Sequence, residues 1–165
     1  MAQSGRLRRI APGDPALVKR DASLVSLSRD HHAALVVAQK LRRADSTTAD
    51  EARKALLAFW EPHGRAHFRL EEEILLPAFA ARGDPHHPLV ARALCDHVAI
   101  RHLVGVVAHR RPHERSDLHR LGLLLAAHVR LEEQELFPLI ESALSASQLV
   151  ALAKALQRAE RSTDG

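Results

Sequence analysis

A single cysteine, Cys95, one tryptophan and no tyrosine stand among the 165 residues. One thiol cannot close an internal disulfide framework, so packing has to hold the chain together. Aromatic residues make up 3% of the sequence, which leaves few rings for bases to stack on, and apart from Arg6, Arg8 and Arg9 the basic residues are scattered. The formal charge of +4 and the isoelectric point near 10 therefore read as a solvated basic surface, and nucleic acid is not the expected partner. No apolar run reaches the roughly 20 residues of a membrane span. The opening MAQSGRLRRIAPGDPALVKRD lacks the apolar core of a signal peptide, so the expectation is a soluble, cytoplasmic protein with no membrane partner. A glycine-rich phosphate loop and a Ser-His-Asp set are missing too, which removes the commonest routes to hydrolysis. What the chain has is apolar residue, at 46%. That is enough for one domain of ordinary size, burying about two-thirds of its unfolded surface and needing no metal merely to fold.

It also has a repeat. His67 to Phe79, HFRLEEEILLPAF, returns sixty-one residues later as His128 to Ile140, HVRLEEQELFPLI, with seven of thirteen positions identical. A helix turns about 100° per residue, so His67 and Glu71 lie one turn apart on one face, as do His128 and Glu132. A histidine over a glutamate at this spacing offers a nitrogen and an oxygen to one small cation, and two such helices facing each other could hold two.

The rest of the chain reads as scaffold: an arm over 1–22, a helical bundle with a C-terminal helix over 23–160, and a tail over 161–165. Gly5, Pro12, Gly13 and Pro15 break any period in the arm. From Leu24 the stripe Leu24, Leu27, His31, Leu35, Ala38, Leu41 predicts a first helix to about Ala44. His31 lies on that stripe, whereas His32 would share a face with Gln39 and Arg42, so His31 is the preferred inward residue. Thr48 or Asp50 can cap a second helix through Leu56, Phe59, His67, Glu71, Ile74 and Ala78 to about Gly83. Pro62 should kink or split it and Pro77 bend its last turns. His63, one turn before His67, is read as inward, as a further ligand, a support for the ligands or a partner for the backbone freed at Pro62. Pro88 suits the first turn of a third helix with Val90, Ala93, His97, Ile100, Val104 and Val107 inward. His102, about 140° around from His97, belongs on the surface or flank. Ser116 or Asp117 can cap a fourth helix carrying Leu121, Leu124, His128, Glu132, Leu136 and Leu139 inward. Ser145 or Ser147 can start a short amphipathic fifth helix with Leu149, Leu152, Ala153 and Leu156 on one side. Short connections between the main helices predict an all-α fold, an up-down-up-down four-helix bundle with a short additional C-terminal helix.

Helix by helix the core then holds His31; His67 and Glu71; His97; His128 and Glu132. A lone histidine on an apolar stripe is ordinarily a satisfied core residue. Two buried carboxylates with no lysine or arginine on their stripes are another matter, since each costs several kcal/mol uncompensated. Cations are the economical account. One structural zinc wants four ligands and would leave some over; calcium or magnesium prefers oxygen to four imidazoles. Four nitrogens and two carboxylates suit a pair of iron or manganese ions bridged by both glutamates. Glu72 and Glu133, about 100° further round, should face outward or support the ligands.

The pair HFRLEEEILLP and HVRLEEQELFP, preceded by RDHHAAL and separated by DHVAIR, resembles the hemerythrin-like (HHE cation-binding) family over roughly residues 24 to 144. The resemblance implies a four-helix bundle with a non-haem, oxo- or hydroxo-bridged di-iron centre, manganese or zinc being possible substitutes. It carries the metal-ligand role onto His31, His67, Glu71, His97, His128 and Glu132. Members bind dioxygen, sense oxygen, nitric oxide or iron, or handle iron. The expected function is thus a di-iron protein taking a small diatomic or anionic ligand; the alternative is an oxidase- or peroxidase-type enzyme using the same site. Oxygen-carrying relatives place a second histidine one turn after the third-helix histidine. Here that position is Arg101, which could draw an anion toward the site if it turned inward.

Overall fold

The computed structural model describes residues 20–109 and 115–163, and among them every element is helical. A single 3-10 turn, Ala22–Leu24, leads into α1, Val25–Arg43. The second long helix, α2, spans 49–80 and the fourth, α4, spans 115–143; each is regular helix interrupted by wider π-type turns. Between them lies α3, Pro88–His109, and after them α5, Ala146–Thr163. Most of the expected arm, part of the break before α4 and the last two residues of the tail fall outside the described residues. No helix described is long and apolar enough to cross a membrane.

The prolines leave a specific mark. Pro77 has no N–H for the carbonyl four residues back and its ring crowds that carbonyl, so the turn ahead of it widens. The result is a π-turn over Glu71–Leu75, closed by the Leu76 N–H donating to the Glu71 carbonyl. Pro138 has the same effect on Glu132–Leu136, where the Phe137 N–H reaches the Glu132 carbonyl. A third π-turn, Trp60–Gly64, contains Pro62. Each widened turn delays the inward stripe by about one residue. The expected Ile74, Ala78 and Leu139 are only partly buried, and Leu75, Leu76, Phe79, Phe137 and Ile140 fill the core instead. Upstream, Trp60 turns in and His63 is exposed, which overturns the expectation of an inward His63. Two smaller corrections concern α1 and α4: Ala34 and Leu125 are buried where Leu35 and Leu124 were expected. Thr48 stands at the start of α2, yet its side chain makes no cap there; Asp45 accepts from the Thr47 and Thr48 N–H groups instead.

Core residues divide into two clusters, and every one of the four long helices contributes to both. One contains Ala38, Leu41, Leu56, Phe68, Ile100, Leu121 and Val129. The other contains Leu27, Leu75, Phe79, Ala93, Phe137 and Ile140 together with Leu152 and Leu156 of α5. So α5, at 18 residues shorter than any of the four helices before it, closes one end of the molecule only. Ser145 starts it by accepting from the Gln148 N–H while the Gln148 side chain returns to the Ser145 N–H, a reciprocal cap. Contact between α1 and α4 depends on Gly122, where a Cβ would stand 2.7 Å from the Ala38 carbonyl oxygen and 2.9 Å from Leu41 Cβ. That close approach brings the first and fourth helices' polar residues together.

Candidate metal centre

Between the two apolar clusters lies a belt of polar side chains: His31, His67, Glu71, His97, His128 and Glu132, all buried. The six sequence-predicted residues come together from four helices. They form two sets of four, His31 with His67 and His97 with His128, each completed by the same Glu71 and Glu132. In each set one nitrogen or oxygen per residue lies within 4.8 Å of the others. His67 Nε2 is 3.0 Å from His31 Nε2 and 3.2 Å from Glu71 Oε1; His97 Nε2 is 3.2 Å from Glu71 Oε2. Glu132 Oε2 stands 3.1 Å from His31 Nε2 and 3.2 Å from His128 Nε2.

Most of these approaches are close in distance but not directed as hydrogen bonds. Among the described residues, both Glu71 oxygens, Glu132 Oε2, and Nε2 of His97 and His128 are buried with no hydrogen-bond partner. A leucine in such a place would contribute about 1.5–3 kcal/mol by burial; an uncompensated carboxylate costs several. Converging, unsatisfied nitrogens and oxygens of this hardness fit a divalent transition-metal ion better than they fit each other.

Protons meanwhile supply positive charge. Burial opposes charging His67, but Glu71 and Asp30 outweigh it and hold its pKa up at about 10. Burial likewise opposes charge on His97, and Glu132 and Glu71 raise it to about 9. His31 is raised against its burial by Glu132 and Glu133. At His128 burial wins and the ring is pushed down. Glu71 overcomes its own burial through His67 and sits well below the usual carboxylate range. Glu132, raised by burial and by Glu71, is brought down on balance by His128, His31 and His97.

The far ring nitrogens are held by carboxylates. Glu133 accepts from His31 Nδ1 and Glu72 from His97 Nδ1, each at 2.7 Å. Asp30 lies 3.2 Å from His67 Nδ1, whereas Asp96 remains 3.9 Å from His128 Nδ1. Of the two places expected for Glu72 and Glu133, outward or supporting the ligands, they take the second. Asp30 and Asp96 were missed, although the dipeptide Asp-His occurs at both 30–31 and 96–97 and was the available signal. His32 and His102 are exposed, as is Cys95. Arg101 does not turn inward: it donates to Glu72 at 2.8 and 2.9 Å and lies over the Phe68 ring. Beside His31, His67 and His128 is a small apolar cavity, bordered by Ala34, Trp60, Phe68, Leu125 and Val129. It has room for about one water-sized molecule.

An all-helical bundle with a buried, fourfold-histidine, twofold-glutamate belt defines a metal-binding class of protein. The family model described as hemerythrin HHE cation binding domain matches residues 23–140. The chain belongs to that family. No curated protein and no solved structure matches it.

Proposed function

We propose that His31, His67, Glu71, His97, His128 and Glu132 hold two iron ions, one between His31 and His67 and one between His97 and His128, with both glutamates shared. The observation that carries this is the sharing itself, two ligand sets with Glu71 and Glu132 in common. Iron held there supplies a one-electron redox couple and a place for one small ligand. The four long helices meet the two apolar clusters in alternating order along the chain, which supports reading them as an up-down-up-down bundle. Four protein residues to each ion, with Glu71 and Glu132 counted in both sets, leave room on both ions for an outside ligand, and Arg101 stands where a further histidine would have closed one of them. The adjacent cavity is apolar and small, which suits an uncharged diatomic molecule such as dioxygen or nitric oxide over a larger substrate. The function is therefore diatomic-ligand sensing or redox handling of iron, and not reversible carriage.

Metal analysis of anaerobically purified chain should give about two iron per chain, with near-ultraviolet absorption developing on oxidation. A single tightly bound zinc and no iron uptake on reconstitution would overturn the assignment. Stopped-flow mixing of reduced chain with dioxygen separates the finer alternatives. Rapid, irreversible oxidation is expected, and a long-lived spectrum reversed by removing dioxygen would show carriage.

A further inference from the structure

One histidine of each pair is clamped by a carboxylate, a phenylalanine ring and an arginine. At His97 the carboxylate is Glu72; Phe68 stacks on the imidazole with centroids 3.8 Å apart, and Arg101 binds Glu72 and lies 5.3 Å from the Phe68 centroid. At His31 the carboxylate is Glu133, which also accepts from Ser28 Oγ at 2.7 Å. Phe137 stacks on that ring at 5.2 Å, and Arg20 binds Glu133 and lies 5.3 Å from the Phe137 centroid. Glu72 and Glu133 occupy matching places in the repeat but the phenylalanines do not, so repetition of the sequence accounts for the carboxylates and not for the rings.

The two arginines come from different places. Arg101 follows His97 by one turn of the same helix, so α3 itself delivers it. Arg20 precedes the turn that opens α1 and is held by distant partners: the Glu133 carbonyl at 2.6 Å, Glu133 Oε2 at 2.7 Å and Glu141 Oε1 at 3.2 Å. The Asp21 N–H adds a bond to Glu141 at 3.0 Å. The Arg20 side chain is 8% exposed against 39% for Arg101. A guanidinium fork reaching a carbonyl and two carboxylates fixes geometry in a way that a point charge does not.

We infer that Arg20 is a positioning residue for one metal position only: through Glu133 it orients the His31 ring, so the segment leading into α1 sets the metal affinity of the His31–His67 side independently of the His97–His128 side. The inference rests on the ligand assignment proposed above. It gives the N-terminal segment a regulatory function, because drawing residue 20 away from Glu133 and Glu141 loosens one ion and leaves the other.

Arg20→Gln, Arg20→Lys and Arg101→Gln in the full chain test it, with helix content followed by far-ultraviolet circular dichroism. In anaerobic Fe(II) competition titrations, Arg20→Gln should keep one ion per chain at wild-type affinity and weaken the other by about 10–100-fold. Arg20→Lys, which reaches Glu133 or Glu141 but not both, should fall between. In imidazole-region NMR of the metal-free chain, the His31 Nδ1–H should exchange faster in Arg20→Gln while that of His97 is unchanged, and Arg101→Gln should do the reverse. Equal weakening of both ions, or a lower melting temperature with ring signals and both affinities as in wild type, would overturn the inference. If wild-type chain takes up no metal pair, the ligand assignment fails, and the ring N–H comparison still decides whether Arg20 holds His31.

Discussion

The His31–His67 side of the site and the His97–His128 side contain the same donor types, yet the residues behind them differ. On the first side both outer carboxylates, Glu133 and Asp30, face their ring nitrogens at 2.7 and 3.2 Å. On the second only Glu72 does, at 2.7 Å, and Asp96 is drawn off by Arg92 at 2.9 and 3.1 Å. Protonation follows the same division. Both rings of the first side are held above their ordinary pKa, whereas on the second His97 is raised and His128 lowered. A repeated sequence thus delivers repeated donors, and whichever segment passes behind them decides how firmly each is held.

The sharpest way to break the comparison is to remove what both sides share. Glu71→Ala or Glu132→Ala should abolish binding of both ions, since each belongs to both ligand sets and its loss leaves buried imidazolium uncompensated. Glu72→Ala or Glu133→Ala should loosen one side, by about 10–100-fold. Metal-to-chain ratios from mass spectrometry distinguish these results; equal loss in all four variants would mean that the sides are not separable.

A structural coupling of the two sides comes next. Gly122→Ala forces a methyl group against the Ala38 carbonyl and Leu41, pushing α1, which carries His31, from α4, which carries His128 and Glu132. Overpacking of this kind costs about 1–3 kcal/mol, to be read from chemical denaturation. Gly105→Ala on α3 meets nothing within 4 Å and should stabilise the helix by roughly 0.4–1 kcal/mol. If the two substitutions act alike, the close approach of α1 and α4 is not what sets the belt.

Proton linkage sharpens the comparison further. In the metal-free chain His67 and His97 bind protons more tightly folded than unfolded, at about 10 and about 9 against an ordinary 6.5. Their stabilisation is complete below about pH 6.5 and disappears as pH rises toward those values. Glu71 and Glu132 are lowered, so their contribution is present above their ordinary value near 4.5 and is lost as pH falls. The metal-free melting temperature should therefore fall both above about pH 6.5 and in acid. Metal loading should release protons and flatten the alkaline limb, because the cation takes over their charge. Calorimetry in buffers of different ionisation enthalpy counts the protons, and a count of zero would contradict the protonated rings.

How much of this was legible in the sequence depends on whether a property is periodic. His31, His97 and the two His-x-x-x-Glu pairs stood out because regular helix carries them on apolar stripes. The π-turns did not, since a stripe read at 3.6 residues cannot show where an extra residue enters; hence Ile74 for Leu75 and the misplaced His63. Prolines at 62, 77 and 138 were visible, but their effect is to widen a turn, which a kink does not convey. Arg20 was invisible for another reason: its partners lie more than 110 residues away, and no local pattern records such a pairing. Asp30 and Asp96 lay in plain view beside His31 and His97, and only the fold shows that they face other rings, with Asp30 reaching His67 and Asp96 stopping short of His128.

The smallest expected effect follows from that last difference and runs in the favourable direction. Asp96 is 8% exposed and Arg92 61%, so the arginine's own charge is solvated and contributes little, while a buried Asp96 left without it has His128 Nδ1, 3.9 Å away, to turn to. The equivalent position four residues before Asp30 is Ser26, which leaves Asp30 free to face His67. In Arg92→Ser, Asp96 should rotate the short distance to His128 Nδ1, which has no hydrogen-bond partner among the described residues, and make the second side resemble the first. One added hydrogen bond of about 0.5–1.5 kcal/mol should tighten metal binding there by roughly two- to tenfold. In the metal-free chain it should also raise the His128 titration, because a carboxylate accepting from the ring favours its charged form. Competition titration against a chelator reads the first change and NMR titration the second. Weaker binding, or an unmoved His128, would show that something other than Arg92 holds Asp96 away.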